Sequence, residues 1–205
     1  MTDTSVSGRP LSKRGALTRR RLLEAAESVF AEFGYHDASI VKITEAAGVG
    51  QGTLYLYFQG KREIFDELVL DLNHRVRRAM TEASSGAETR AERELLGFAA
   101  FFRFTAEHPA LYRIIRQAEF VSPGMLHRHY DKLTEGYVAG LEQAMEQGEI
   151  AEGDPEVLAW ALMGIGELVG MRWILWAGRD ELPPGVFDEL ATIIQRAIGA
   201  AEDGR

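Results

Sequence analysis

The chain has no cysteine. That excludes disulfides, thiolate metal sites and a cysteine nucleophile, and it suits a reducing cytoplasm. Proline is sparse, 6 in 205 residues. Pro109, Pro123, Pro155, Pro183 and Pro184 stand where one helical pattern stops and the next starts. No run of useful length alternates at strand period, so the expected fold is all-α, with about nine helices. No nucleophile–base set is evident. His127 and His129 are two apart and point in different directions on a helix, while His36, His74 and His108 are isolated. No catalytic residue, metal or cofactor is therefore expected. The first fifteen residues are polar and lack an apolar core, so no signal peptide is expected.

One run, residues 158–177, is long enough to span a bilayer. Glu167 and Arg172 interrupt it, each at a cost of about 2.5–3.5 kcal/mol at a bilayer centre. Burial on two sides in a soluble protein explains it better, and no membrane partner is expected. Ala159, Met163, Gly166, Gly170 and Trp173 fall on one helical face, and Leu158, Leu162, Ile165, Val169 and Trp176 on another. One face suits the core of the chain and the other a second copy.

Apolar residues make up 46% of the chain, ordinary for a globular protein and too many for disorder. The formal net charge is −8, which argues against a nucleic-acid partner until its distribution is read. Residues 1–65 carry nine Lys and Arg against seven Asp and Glu, a net of +2, and the remainder carry fourteen against twenty-four, a net of −10. A mildly basic head on an acidic body focuses polyanion contact on the head. Arg9, Lys13, Arg14, Arg19, Arg20 and Arg21 concentrate that charge. They read equally as a solvated tail or as an arm that meets phosphates.

Helical periodicity predicts a first helix over residues 18–33, capped by Thr18 and stopped by Gly34, after a disordered basic arm, residues 1–15. Ser39 caps a short helix over 40–47, and a long helix runs over 61–83. Ser84, Ser85 and Gly86 break it. Further helices are expected over 88–107, 110–120, 123–147, 155–177 and 184–200. The helix over 61–83 is read as the link between head and body.

Residues 40–61, IVKITEAAGVGQGTLYLYFQGK, are the most informative stretch. Ile43, Ala46 and Ala47 give the first short helix an apolar face, Gly48 permits a tight turn, and Val49 plugs it. Leu54 and Phe58, four apart, bury one face of a second helix. That pattern is a helix-turn-helix, whose second helix enters the DNA major groove. It leaves Gln51, Gly52, Thr53, Tyr55 and Tyr57 facing outward. Gly48, Gly50 and Gly52 imitate a phosphate-binding glycine loop, but the preceding residues lack strand periodicity and no Lys-Ser or Lys-Thr pair follows.

Ala25-Ala26, Phe30, Phe33-Gly34-Tyr35, Ile43, Ala46-Ala47-Gly48-Val49, Gly52-Thr53-Leu54-Tyr55, Tyr57-Phe58 and Lys61 resemble, in order and spacing, the DNA-binding domain of the TetR family of bacterial one-component regulators. The likeness covers about the first third of the chain. Departures are Gln51, where many members carry a basic residue, Gly50 in place of a serine, and Val41 in place of an arginine. The resemblance implies a three-helix DNA-binding domain, residues 16–62, and a helical effector-binding and dimerisation domain, residues 63–205.

The expected DNA-facing set is Arg14, Ser39, Lys42, Gly50, Gln51, Gly52, Thr53, Tyr55, Tyr57 and Lys61, with Gln51 reading a base and Lys61 gripping a phosphate. The body is rich in aromatics, and apolar surface with a few polar anchors suits a small-molecule site. Phe98, Phe101, Phe102, Tyr112, Arg113, Arg116, Tyr130, Tyr137, Met163 and Glu167 are its candidates. The arginines would suit an amphipathic anion such as a fatty acyl thioester or an aromatic acid. Ala159, Met163, Gly166, Gly170, Trp173 and Ile193 are the candidate homodimer contacts. The expected partners are double-stranded operator DNA, a small-molecule effector and a second copy. A ligand-responsive repressor is the first reading, and a helical ligand-binding or interaction protein without an operator is the second.

Overall fold

The computed structural model describes Val6 and residues 10–199. The sequence-expected arm lies partly outside them: residues 1–5 and 7–9, Arg9 included, are not described. Every regular element among the described residues is helical. α1 (Lys13–Asp37) is followed by α2 (Ile40–Ala47), α3 (Gln51–Leu54) and α4 (Lys61–Ala83). Then come α5 (Arg90–Glu107), α6 (Ala110–Val121), α7 (Pro123–Glu146), α8 (Pro155–Gly170) with a π-helical continuation (Met171–Leu175), and α9 (Pro184–Ile198).

The first helix begins before the expected Thr18, because Ser12 is its cap and accepts a hydrogen bond from the Gly15 amide at 3.2 Å. Thr18 is interior and returns its hydroxyl proton to the Arg14 carbonyl. Lys13, Arg14 and Gly15 are thus helical rather than part of an arm. Gly34 interrupts α1 at φ 71°, a conformation that side chains with a Cβ disfavour.

The chain forms two compact units, Met1–Leu72 with Pro109–His129, and Asn73–His108 with Tyr130–Arg205. This division departs from the sequence-expected one of 16–62 and 63–205. The helix α6 and the start of α7 belong with the N-terminal elements, so α4 is not the sole covalent link. In the first unit Leu22, Ala26, Phe30, Ile43, Leu54, Phe58, Ile64, Phe65 and Leu68 are almost wholly buried, joined by Ile114 and Ala118 of α6. Phe30 meets Phe65 edge-on at 5.5 Å, and Tyr35 meets Phe65 likewise at 5.2 Å.

The second unit packs Phe98 and Phe102 of α5 against Leu141, Leu162, Ile174, Leu190, Ile194 and Ile198. The phase of α8 corrects the sequence reading of the homodimer contacts. Ala159 is fully buried in this core, and Gly166 and Gly170 are buried too. A Cβ on Gly166 would lie 2.9 Å from a Phe98 ring carbon, so its close approach is to α5 of the same chain. Trp173 also packs on this core, and Met163 is half-buried. The outer stripe is instead Val157, Trp160, Leu168 and Trp176, with Ile193 of α9 exposed as expected. Trp176 leaves the core phase because the π turn adds a residue, its amide reaching the Met171 carbonyl at 3.0 Å. Pro155–Leu175 is long and apolar enough to cross a membrane by length and composition, and 28% of its window is buried inside the chain.

Candidate nucleic-acid interface

Ser39 caps α2, its hydroxyl accepting from the Lys42 amide at 3.2 Å. The helix stops at Gly48, whose φ of 64° is the left-handed conformation that a helix stop with a tight turn requires. The Val49 amide closes onto the Thr44 carbonyl at 3.0 Å. The opening turn of α3 follows at once, with the Thr53 amide on the Gly50 carbonyl at 2.9 Å. Leu54 and Phe58 are fully buried. They anchor the recognition segment by one face and leave the other outward.

On that outward face Gln51, Gly52, Tyr55 and Leu56 are exposed, while Thr53 and Tyr57 are half-buried. A Cβ at Gly50 or Gly52 would meet nothing within 4 Å, so a backbone or groove edge can come close there. Leu56 is 60% exposed and was missed in the sequence, although its place two residues from Leu54 puts it out of the buried phase. An apolar side chain here suits a thymine methyl. Val41 on α2 is likewise exposed.

The basic residues divide into those that hold the head together and those that face out. Arg19 is buried, forms an ion pair with Glu67 of α4, and lies 4.8 Å over the Phe58 ring. Burial pushes the Glu67 carboxyl above its ordinary range, against the pull of Arg19. Arg21 donates to the Ala47 carbonyl at 2.7 Å, satisfying the end of α2. Arg20 pairs with Glu24 at 3.0 Å on the surface. Lys42 donates to the Asp37 carbonyl at 3.0 Å and lies 4.0 Å over the Phe33 ring. Lys13 and Arg14 stand exposed on the first turn of α1.

Lys61 is a correction to the sequence reading. Its Nζ donates to the carbonyls of Tyr35 at 2.6 Å, Ala38 at 2.8 Å and His36 at 3.3 Å, and lies 4.4 Å over the Tyr35 ring. An ammonium has three protons. All three have carbonyl partners at the end of α1, so the side chain is engaged within the head.

The effector candidates separate by unit. Phe98, Phe101, Phe102 and Tyr137 come together in the core of the second unit. Elsewhere in that unit, outside the core cluster, the Tyr130 hydroxyl donates to Glu167 at 3.0 Å, with the exposed Trp160 ring 5.4 Å from Tyr130. The Tyr137 hydroxyl donates to Glu94, which also accepts from the buried Arg90 at 2.7 Å. Burial, with the Glu94 charge, raises the Tyr137 phenol well above its ordinary value. Met163 lies half-buried on α8. Tyr112, Arg113 and Arg116 are on α6, in the first unit. Arg113 is directed at the Ala31 carbonyl of α1, at 2.7 Å, rather than serving as an anion anchor.

A buried-face helix pair with an outward recognition segment is a DNA-binding helix-turn-helix. A family model, "Bacterial regulatory proteins, tetR family", matches residues 22–68. The uncharacterized HTH-type transcriptional regulator YdgC of Bacillus subtilis (strain 168) is 32% identical over 175 residues, covering 83% of this chain and 88% of that protein. The fatty acid metabolism regulator protein of the same organism is 28% identical over 161 residues, covering 76% and 82%. Among solved structures, Salmonella enterica GusR matches with a TM-score of 0.77 at 25% identity, covering 92% of this chain and 98% of that one. The chain belongs to the TetR family of bacterial transcriptional regulators. It is a regulator of transcription and not an enzyme.

Proposed function

We propose that this regulator is a repressor that binds a palindromic operator as a homodimer in the cytoplasm and is released by a small amphipathic or apolar effector. The observation that carries the reading is the outward face of α3 and the turn after it. Gln51, Gly52, Tyr55 and Leu56 lie exposed there while Leu54 and Phe58 are fully buried. Gln51 offers a donor and an acceptor suited to adenine, and Ser39, Lys42 and Arg14 flank it as phosphate contacts.

The apolar stripe of Val157, Trp160, Leu168 and Trp176, with Ile193, supports an isologous contact between two copies. A two-fold pair of recognition segments calls for a two-fold operator. The aromatic core with its Tyr137–Glu94 pair, and the half-buried Tyr130–Glu167 pair of the same unit, support an effector site in the second unit. The relative named as a fatty acid metabolism regulator makes a fatty acyl ligand the first class to try. An electrophoretic shift on the duplex upstream of the gene for this chain tests the DNA reading. Retarded complex that survives random competitor DNA supports it, and equal loss to both DNAs overturns it. Native mass spectrometry of protein purified from its own host would identify the effector class.

A further inference from the structure

The end of α1 is gripped from two sides within the first unit. On one side stands Lys61, with its three carbonyl contacts to Tyr35, His36 and Ala38. On the other stand two side chains of α6, one turn apart. Arg113 Nη1 donates to the Ala31 carbonyl at 2.7 Å, and Gln117 Oε1 accepts from the Tyr35 amide. Gln117 is itself oriented, since its Nε2 donates to the Arg113 carbonyl at 2.8 Å. The interruption at Gly34 deprives Tyr35 of a regular helical acceptor, and the Gln117 side chain supplies one. The glycine also leaves the amide room: a Cβ there would stand 3.3 Å from Gln117 Oε1.

The gripped residues lead directly to the DNA-facing elements. Tyr35 carries both the carbonyl and the ring that hold Lys61. Ala38 is buried, and the next residue, Ser39, is the cap of α2. We propose that Gln117 and Arg113 of α6 are positioning residues for DNA recognition. By holding residues 31–38 they fix where α2 starts, and through it the orientation of α3. Both bonds come from successive turns of α6, so α6 fixes the end of α1 jointly with Lys61 of α4. This rests on the DNA-reading function proposed above.

The test uses the full chain and three variants. Gln117→Leu keeps the shape and removes the acceptor, Gln117→Glu keeps an acceptor for the Tyr35 amide, and Arg113→Met removes the donor to Ala31. Hydrogen–deuterium exchange is followed over residues 39–58 and over the second-unit core, with retardation of the upstream duplex as the functional readout. Gln117→Leu should speed exchange over 39–58 by about five- to tenfold, the expected effect of losing the partly buried bond to the Tyr35 amide, and Arg113→Met by about two- to threefold, because its bond to Ala31 is exposed. The second-unit core should exchange as in the wild type, and duplex affinity should fall by a comparable factor. Gln117→Glu should restore most of both.

Wild-type exchange over 39–58 in Gln117→Leu and Arg113→Met overturns the proposal, and so does a Gln117→Glu variant no better than Gln117→Leu. Acceleration spread evenly over both units also overturns it, because the residues would then serve global stability. If wild-type protein does not retard the duplex, the DNA reading fails by itself, and the exchange arms still decide the positioning role.

Discussion

Replacing Lys61 by methionine separates two roles that the sequence leaves merged. The substitution keeps an apolar stem of similar length and removes the ammonium. Three carbonyl contacts are lost, two of them short, at 2.6 and 2.8 Å, and one longer, at 3.3 Å. Hydrogen bonds to a charged group contribute about 1.5–3 kcal/mol each when well enclosed. Lys61 is only half-buried, so water replaces part of that. The cation over the Tyr35 ring at 4.4 Å adds about 0.5–1 kcal/mol, and release of the lysine's rotamer entropy, up to about 2 kcal/mol, offsets it. The net loss is about 2–3 kcal/mol of head stability. Urea unfolding followed by tyrosine fluorescence should show a lowered midpoint at unchanged slope. The salt dependence of duplex binding should keep the wild-type slope, since no phosphate contact is removed. Unchanged stability with a salt slope reduced by about one would show that Lys61 grips a phosphate after all.

Gln51→Ala should lose about 1–3 kcal/mol on the operator and little on random duplex, checked by anisotropy titration; equal losses would remove Gln51 as a base reader. Gly166→Leu should destabilise the protein by about 1–3 kcal/mol through the clash with Phe98, while the folded fraction still sediments as a dimer. Leu168→Glu should do the reverse, leaving the helical content intact and yielding monomers whose melting no longer depends on protein concentration; a dimeric Leu168→Glu variant would move the interface elsewhere. His129 is buried, and burial lowers its pKa from 6.5 to about 4. Between those values the unfolded chain takes up a proton that the folded one refuses, so stability falls as the pH drops from 6.5 to 4, by about 3 kcal/mol. Calorimetry of His129→Phe across that range should show a shallower decline than the wild type.

Local chemistry was readable in the sequence where a residue and its consequence lie within a turn of each other. Ser39 capping α2, Gly48 at positive φ, and Leu54 with Phe58 as the buried side of the recognition segment all follow from spacing. The prolines at 155 and 184 do stand at helix starts. Long-range partners were not readable, because a charge does not announce what it will meet. Arg19, read with its basic neighbours as a solvated tail or a phosphate-meeting arm, is buried against Glu67, forty-eight residues on. Lys61 meets carbonyls about twenty-five residues back. Arg113, an attractive anion anchor on paper, faces a carbonyl of α1, because α6 packs with the N-terminal elements. In α8 both apolar stripes suited a core or a partner, and the π turn at Met171–Leu175 then shifted the register of Trp176. No periodicity rule anticipates that insertion.

Footprinting of the full chain on the duplex upstream of its own gene bears most directly on DNA recognition by a symmetric pair of recognition segments. Two protected half-sites of inverted sequence, centred about one helical turn or a multiple of it apart, are expected, with Gln51→Ala losing the preference for one base position in each. Uniform protection without a repeat, or none above that of random duplex, would contradict it.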